Sequence, residues 1–166
     1  MPALATGNVA PGFTLATTAG KKVSLHEFLR RGPVVLAFFK VSCPVCQFAF
    51  PLYERLAQAH KNSSAMFLGI SQNNPVQASA FAREYGVTFS IAIDDEANGY
   101  TASNAYGLTN VPTLFYIDSS GEIEVSSVGW SKAEVDEVSA KLAELRHTQP
   151  PELWRTGEDV PAFRAG

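Results

Sequence analysis

The stretch Phe38-Phe39-Lys40-Val41-Ser42-Cys43-Pro44-Val45-Cys46-Gln47 decides the fold, and it holds both cysteines of the chain. The residues before it, from Val34 to Phe39, are continuously apolar, as a strand buried on both faces should be. Those after it, from Phe48 to His60, read as a helix. A Cys-x-x-Cys at a strand-to-helix junction sets the first sulfur beside the unpaired amides of the helix N-terminus. The partial positive charge there favours thiolate over thiol. The second sulfur lies one turn on, within reach of a small disulfide ring. The spacing therefore predicts a dithiol that cycles between two redox states.

Other uses of two cysteines fit less well. A tetrahedral zinc site needs four ligands, and His26, His60 and His147 are scattered without the paired spacing that completes one. No metal is expected. A purely structural disulfide across so short a ring restrains little unfolded-chain entropy. Two inert buried thiols remain an alternative, but burial alone does not place a pair at the start of a helix.

Composition narrows the class. At 166 residues the chain is long enough for one domain with a proper core. Its 46% hydrophobic and 17% charged residues suit a globular protein. A net charge of −3 gives no reason to expect a nucleic acid or an anionic membrane as partner. No apolar run approaches a membrane span. Residues 1–7 lack the basic and apolar regions of a secretory signal, so a cytoplasmic location is the expectation. In that compartment a Cys pair is more often catalytic than structural.

Working outward, Phe13–Thr17 and Lys22–Ser24 flank Ala19-Gly20 and read as a hairpin. Ser24 and Glu27 have capping-box spacing and open a short helix through Leu29. His26 falls in its first turn and is read as surface. Beyond Cys43, a stripe of Phe48, Leu52, Leu56 and Ala59 is predicted to face the core, with Pro51 kinking the helix. A strand over 66–70 is followed by a helix over 76–85, started at Pro75 and closed by Gly86. Further elements are a strand over 89–93 and a short helix over 98–106. Strands over 113–117 and 123–127 form a second hairpin. A final helix opens at Ser131 and runs to about Arg146. Strands alternating with helices predict an α/β domain over 1–146 with a mixed, mostly parallel sheet flanked by helices. The N-terminal hairpin is an extension, and the late hairpin adds an antiparallel edge.

Residues 147–166 form a Pro-containing tail. Trp154, Val160 and Phe163 are too apolar for a purely solvated segment. Gly157-x-x-x-Pro161-x-Phe163 repeats the spacing of Gly7-x-x-x-Pro11-x-Phe13. Chance explains that echo. The sharper alternative is that the tail docks on the domain or on a neighbouring chain, as the N-terminal arm does.

Over residues 7–146 the pattern resembles the thioredoxin-fold redoxins, the group holding the TlpA- and ResA-type thiol–disulfide oxidoreductases and the AhpC/TSA peroxiredoxins. The resemblance rests on Ala10-Pro11-Gly12-Phe13-Thr14-Leu15, on Phe38-Phe39 before Cys43-Pro44-Val45-Cys46, and on Val111-Pro112-Thr113 before a strand. Pro51 and Gly129 match further family positions. The resemblance implies a thioredoxin-like fold with Val111-Pro112 as a cis peptide facing the cysteines. It also implies Cys43 as nucleophile and Cys46 as resolving thiol. Val111, Pro112, Pro44 and Val45 would then border the substrate, and no cofactor is needed beyond the redox-active disulfide. The implied partners are a protein or peptide disulfide or dithiol and a reducing protein, with the chain a monomer or homodimer.

Departures from the family matter. Ala37 and Ala49 stand where relatives carry an acid that accepts the second cysteine's proton, and Ser42 replaces a Trp. Lys40 is the nearest ionisable residue along the chain, and it either tunes the thiolate or points to solvent. Peroxiredoxins use Pro-x-x-x-Thr/Ser-x-x-Cys. Aligned on Cys46, that motif would need Pro at Phe39 and Thr or Ser at Cys43, so the peroxide-binding arrangement is not written here. A thiol peroxidase remains the main rival, and a thioredoxin-fold adaptor without turnover is the third option.

Overall fold

The computed structural model describes residues 2–166. In chain order its elements are β1 (Thr14–Ala16), β2 (Lys22–Ser24), α1 (Leu25–Leu29), β3 (Val34–Phe39), α2 (Pro44–Ala59), β4 (Met66–Ser71), α3 (Pro75–Tyr85) and β5 (Ser90–Ile93). They continue with α4 (Thr101–Ala105), β6 (Thr113–Ile117), β7 (Ile123–Val128), β8 (Trp130–Ser131), α5 (Lys132–Leu145) and β9 (Phe163–Arg164).

The main sheet has the order β5-β4-β3-β6-β7. β3 pairs parallel with β4, and β4 with β5, whereas β6 runs antiparallel to both β3 and β7. The sheet is mixed, as expected. Its antiparallel pairing reaches further in than an edge hairpin, because β6 lies directly beside the central strand. β3 is buried at all six positions, and alternate side chains serve two cores. Val35, Ala37 and Phe39 meet α2, α3 and α5 on one face. Val34, Leu36 and Phe38 meet Leu15, Val23, Phe28 and Tyr106 on the other. Both sheet edges are covered. The first hairpin reaches β5 through the Thr17–Ala92 bridge, and the N-terminal arm pairs at Val9–Glu122 beside β7. Such covering removes an exposed template for strand association.

Local chemistry sets the helix ends. Asn74 and Gln77 form a full capping box for α3, and Gly86 closes it in the left-handed conformation at φ 68°. Ser24 and Ser131 cap α1 and α5, each accepting from the backbone three residues on. The return bond of the capping box expected at Ser24 and Glu27 is not made, and at α5 the Glu134 carboxylate accepts from Ser127 Oγ. The helix predicted over 98–106 starts later. Gly99 and Tyr100 both take left-handed φ, and α4 begins at Thr101, where the buried Asp94 carboxylate accepts from the amides of Ala102 and Ser103.

α2 runs through Pro51 without a break. Its buried face is Cys46, Ala49, Phe50, Leu52, Tyr53 and Leu56, so the expected stripe is partly wrong. Ala59 is exposed, and Phe48 lies half-buried with its ring edge-on to Trp130 at 5.4 Å. The helix has apolar residues around much more than one stripe, and packing against the sheet and α5 selects which of them point inward.

Residues 147–166 lie on the domain. Leu153 is buried in the same core as Tyr53 and Trp130. Arg55 on α2 binds Glu158 through both nitrogens, at 2.7 and 2.9 Å, and donates to the Leu153 carbonyl. Trp130 Nε1 donates to the Pro161 carbonyl, and β9 pairs antiparallel with β8.

Candidate active site

Cys43 caps α2. Its ψ of 116° is extended rather than helical, and Pro44 occupies the first helical position, where a missing N–H costs nothing. The backbone N–H of Cys46 donates to Cys43 Sγ at 3.2 Å. On its other side the Cys43 thiol donates to the carbonyl of Val111 at 3.4 Å. Val111-Pro112 is cis, as the resemblance implied, and lies across from the dithiol. Both thiols are free, Cys43 half-buried and Cys46 fully buried. Burial pushes the Cys46 thiol far above the ordinary thiol range, and the adjacent Cys43 thiol adds to the shift. One sulfur is therefore presented to solvent beside a donor and an acceptor, while the other stays protonated and hidden one turn deeper.

Three side chains hold this geometry from outside the motif. Asn73, just past β4, accepts from the amide of Val41 at 2.9 Å. Gln47 donates to the carbonyl of Val41 at 2.9 Å. Thr113 donates to the carbonyl of Asn110 at 2.7 Å and fixes the turn before Pro112. Sequence reasoning missed all three. The available signal was position, since Asn73 follows the C-terminal end of a parallel strand, where ligand crevices of open α/β sheets form.

The structure brings Cys43, Cys46, Val111 and Pro112 together. Pro44 is exposed at the mouth, and Val45 is half-buried against the core. A cleft of about 430 Å³ opens at Cys43, lined also by Lys40, Gln72, Asn110, Val111 and Gly166. Lys40 is exposed, and among the described residues its amine makes no ion pair or hydrogen bond. Ala37 and Ala49 are buried, so neither position offers Cys46 an acid. His26 is exposed, and His60, at the opposite end of α2 from the cysteines, is buried against Ser139. Among the described residues no cluster of His, Cys, Asp and Glu could hold a metal.

A mixed sheet flanked by helices, with a Cys-x-x-Cys capping the helix after the central strand, defines a thioredoxin-like redoxin. Comparison with known proteins agrees. The model of the AhpC/TSA family matches residues 6–126. Thiol-disulfide oxidoreductase ResA of Halalkalibacterium halodurans is 31% identical over 133 residues, 79% of this chain and 73% of that protein. The thioredoxin domain of a thiol-disulfide oxidoreductase from Bacteroides vulgatus superposes with a TM-score of 0.75 at 21% identity, covering 84% of this chain and 99% of the other. Peroxidoxin BcpB from Mycobacterium tuberculosis gives a TM-score of 0.67 at 25% identity, over 88% and 99% of the two chains. The chain belongs to the AhpC/TSA family. It is a thiol–disulfide oxidoreductase with a Cys-Pro-Val-Cys redox pair.

Proposed function

We propose that Cys43 is the nucleophile and Cys46 the resolving thiol in a two-step exchange with a protein or peptide disulfide. The supporting observation is the asymmetry of the pair. Cys43 Sγ is accessible between the Cys46 amide and the Val111 carbonyl, whereas Cys46 is sealed in the core. In the first step the Cys43 thiolate attacks one sulfur of the substrate disulfide. That S–S bond breaks, a mixed disulfide forms, and one substrate thiolate leaves. In the second step Cys46 gives up its proton and attacks Cys43 Sγ. The mixed disulfide breaks, the second substrate sulfur leaves as thiolate, and the Cys43–Cys46 disulfide remains. Two electrons have passed to the substrate. With alanine at 37 and 49, the departing substrate thiolates take the place of an acidic residue as acceptors of the Cys46 proton.

An extended substrate segment would pair with the backbone of Val111, in the manner of strand addition, with Pro44 and Val45 bordering it. Lys40 adds a positive charge to the same cleft. A Lys40→Met variant with unchanged Cys43 titration would remove Lys40 from the mechanism. The cycle uses no cofactor beyond the two sulfurs and closes when a reducing partner returns the disulfide to dithiol.

The competing reading is a thiol peroxidase, favoured by the likeness to the peroxidoxin. Phe39 and Cys43 at the positions where that chemistry needs Pro and Thr or Ser weigh against it, as does the burial of Cys46. The test is the rate at which the reduced protein loses thiols to hydrogen peroxide and to a disulfide, with Cys43→Ser and Cys46→Ser alongside. Exchange through Cys43 predicts a peroxide rate no better than a free thiol, and a Cys46→Ser protein that accumulates a mixed disulfide by mass. A fast peroxide reaction abolished by one variant would make the protein a peroxidase and identify its peroxidatic cysteine.

A further inference from the structure

Gly166 lies against the Val111 backbone, with which the proposed substrate strand would pair. From the β8–β9 pairing the chain continues to Gly166, whose carbonyl accepts from Asn110 Nδ2 at 3.2 Å. Gly166 is packed so closely on the cis peptide that a Cβ there would overlap the Val111 carbonyl oxygen and come within 2.9 Å of its carbon. It also forms one wall of the cleft at Cys43. Upstream, Gly129 makes the approach possible. It sits at φ 78°, and a Cβ on it would come within 2.6 Å of the Arg164 carbonyl oxygen. The Arg164 guanidinium stacks over Phe48, 4.3 Å from the ring centroid.

This segment, the tip, is held differently from the chain before it. Residues 153–161 are anchored by buried Leu153, by the Arg55–Glu158 pair and by the Trp130 bond to Pro161. Beyond Pro161 the contacts are backbone hydrogen bonds, one stacked cation and the Asn110 bond, and Phe163 is 60% exposed. Segments with little buried apolar surface and exposed hydrogen bonds open at low free energy. The arrangement is a firm anchor followed by a tip that can lift.

Resting on the exchange reading above, we infer that residues 162–166 are a tethered occupant of the substrate-strand position and set which disulfides reach Cys43. An extended protein segment must displace the tip to pair with Val111. A small disulfide needs only the open side of the cleft, past Lys40 and Gln72, and meets Cys43 with the tip in place. The tip therefore discriminates against extended protein disulfides and is neutral toward small ones. If it is down about nine-tenths of the time, the apparent affinity for an extended substrate is reduced about tenfold.

The test is the rate at which the fully reduced protein loses thiols to insulin, an extended protein disulfide, and to hydroxyethyl disulfide, a small one. A variant ending at Pro161 should react about tenfold faster with insulin at sub-saturating concentration and within about twofold of wild type with hydroxyethyl disulfide. An insulin rate that is unchanged or lower overturns the inference, because the tip would then be a bystander or part of the platform that holds the substrate. Should the shortened protein fail to fold, the full-length double variant Arg164→Ala/Gly166→Val decides. It removes the stacked cation and places a side chain where none fits, so its insulin rate should rise, and an unchanged rate overturns the inference. A wild-type protein inert toward hydroxyethyl disulfide would overturn the exchange reading itself, a result distinct from any effect of the tip.

Discussion

Replacing Leu153 with alanine tests whether residues 147–166 are part of the folded unit. Leu153 is 5% exposed and packs in the core that holds Tyr53, Trp130 and Leu142. Removing a buried leucine side chain costs about 2–5 kcal/mol, the lower end where the surroundings can collapse into the space. Leu153 sits in irregular chain, which can shift inward, so about 2.5 kcal/mol is expected. With a urea m-value of about 2 kcal/mol/M, that moves the midpoint down by about 1.2 M. Two companion variants grade the effect. Val160 is half-buried against the same core, and Val160→Ala should cost about 0.5–1 kcal/mol. Phe163 is 60% exposed, and Phe163→Ala should stay within about 0.5 kcal/mol of wild type. The assay is urea unfolding followed by tryptophan fluorescence. It suits the question because Trp130 lies in the core and Trp154 in the tail, 6.0 Å apart edge-to-face. A Leu153→Ala midpoint within about 0.3 M of wild type would refute the reasoning. So would an early transition confined to Trp154, because the tail would then unfold on its own.

Three further outcomes follow from buried or paired polar groups. His60 is buried with its Nε2 2.7 Å from Ser139 Oγ, and burial first, then the charge of Arg146, holds its pKa below the ordinary value. Folding therefore favours neutral His60, so its contribution is complete above about pH 6.5 and is lost as pH falls below that. Stability measured by urea unfolding should fall as pH is lowered from 7.5 to 5, and His60→Gln should flatten that decline. Asp94 accepts from two buried amides and from Asn98 Nδ2, and Asp94→Ala should cost about 3 kcal/mol or more by urea unfolding, Asp94→Asn less. The Arg55 guanidinium holds the Glu158 carboxyl down to about 2, so the tail anchor is intact above about pH 4.5 and is lost as pH falls toward 2. Amide exchange in residues 153–161 should stay slow at pH 4 in the wild-type protein and become fast in Glu158→Gln.

The parts that could be read from sequence are those whose causes are local. β3 begins and ends where the apolar run does, and α3 starts at its Pro and stops at its Gly, because a cap and a run are each settled within a few residues. The dithiol was legible for the same reason. A thiol that caps its own helix and a second thiol one turn on are consequences of spacing alone. The misread elements have distant causes. The late start of α4 depends on Asp94, eight and nine residues back and at the end of another strand. The inward face of α2 depends on which of its many apolar residues the sheet and α5 accept. That choice left Phe48 half-exposed, beside Arg164.

The tail shows the same limit most sharply. Its apolar residues announced that it would bury something, but Arg55 and Glu158 are 103 positions apart and nothing in either neighbourhood names the other. The path to the cleft depends on two positions with no side chain, Gly129 and Gly166, each tolerating a carbonyl where a Cβ would collide. A glycine read alone signals a turn. That these two permit one backbone to lie against another becomes visible only when both backbones are placed. The consequence reaches the chemistry, because the carbonyl that Gly166 packs against is the one that accepts from Cys43. The motif alone places two sulfurs one helical turn apart, and a long-range contact forms one wall of the cleft beside them.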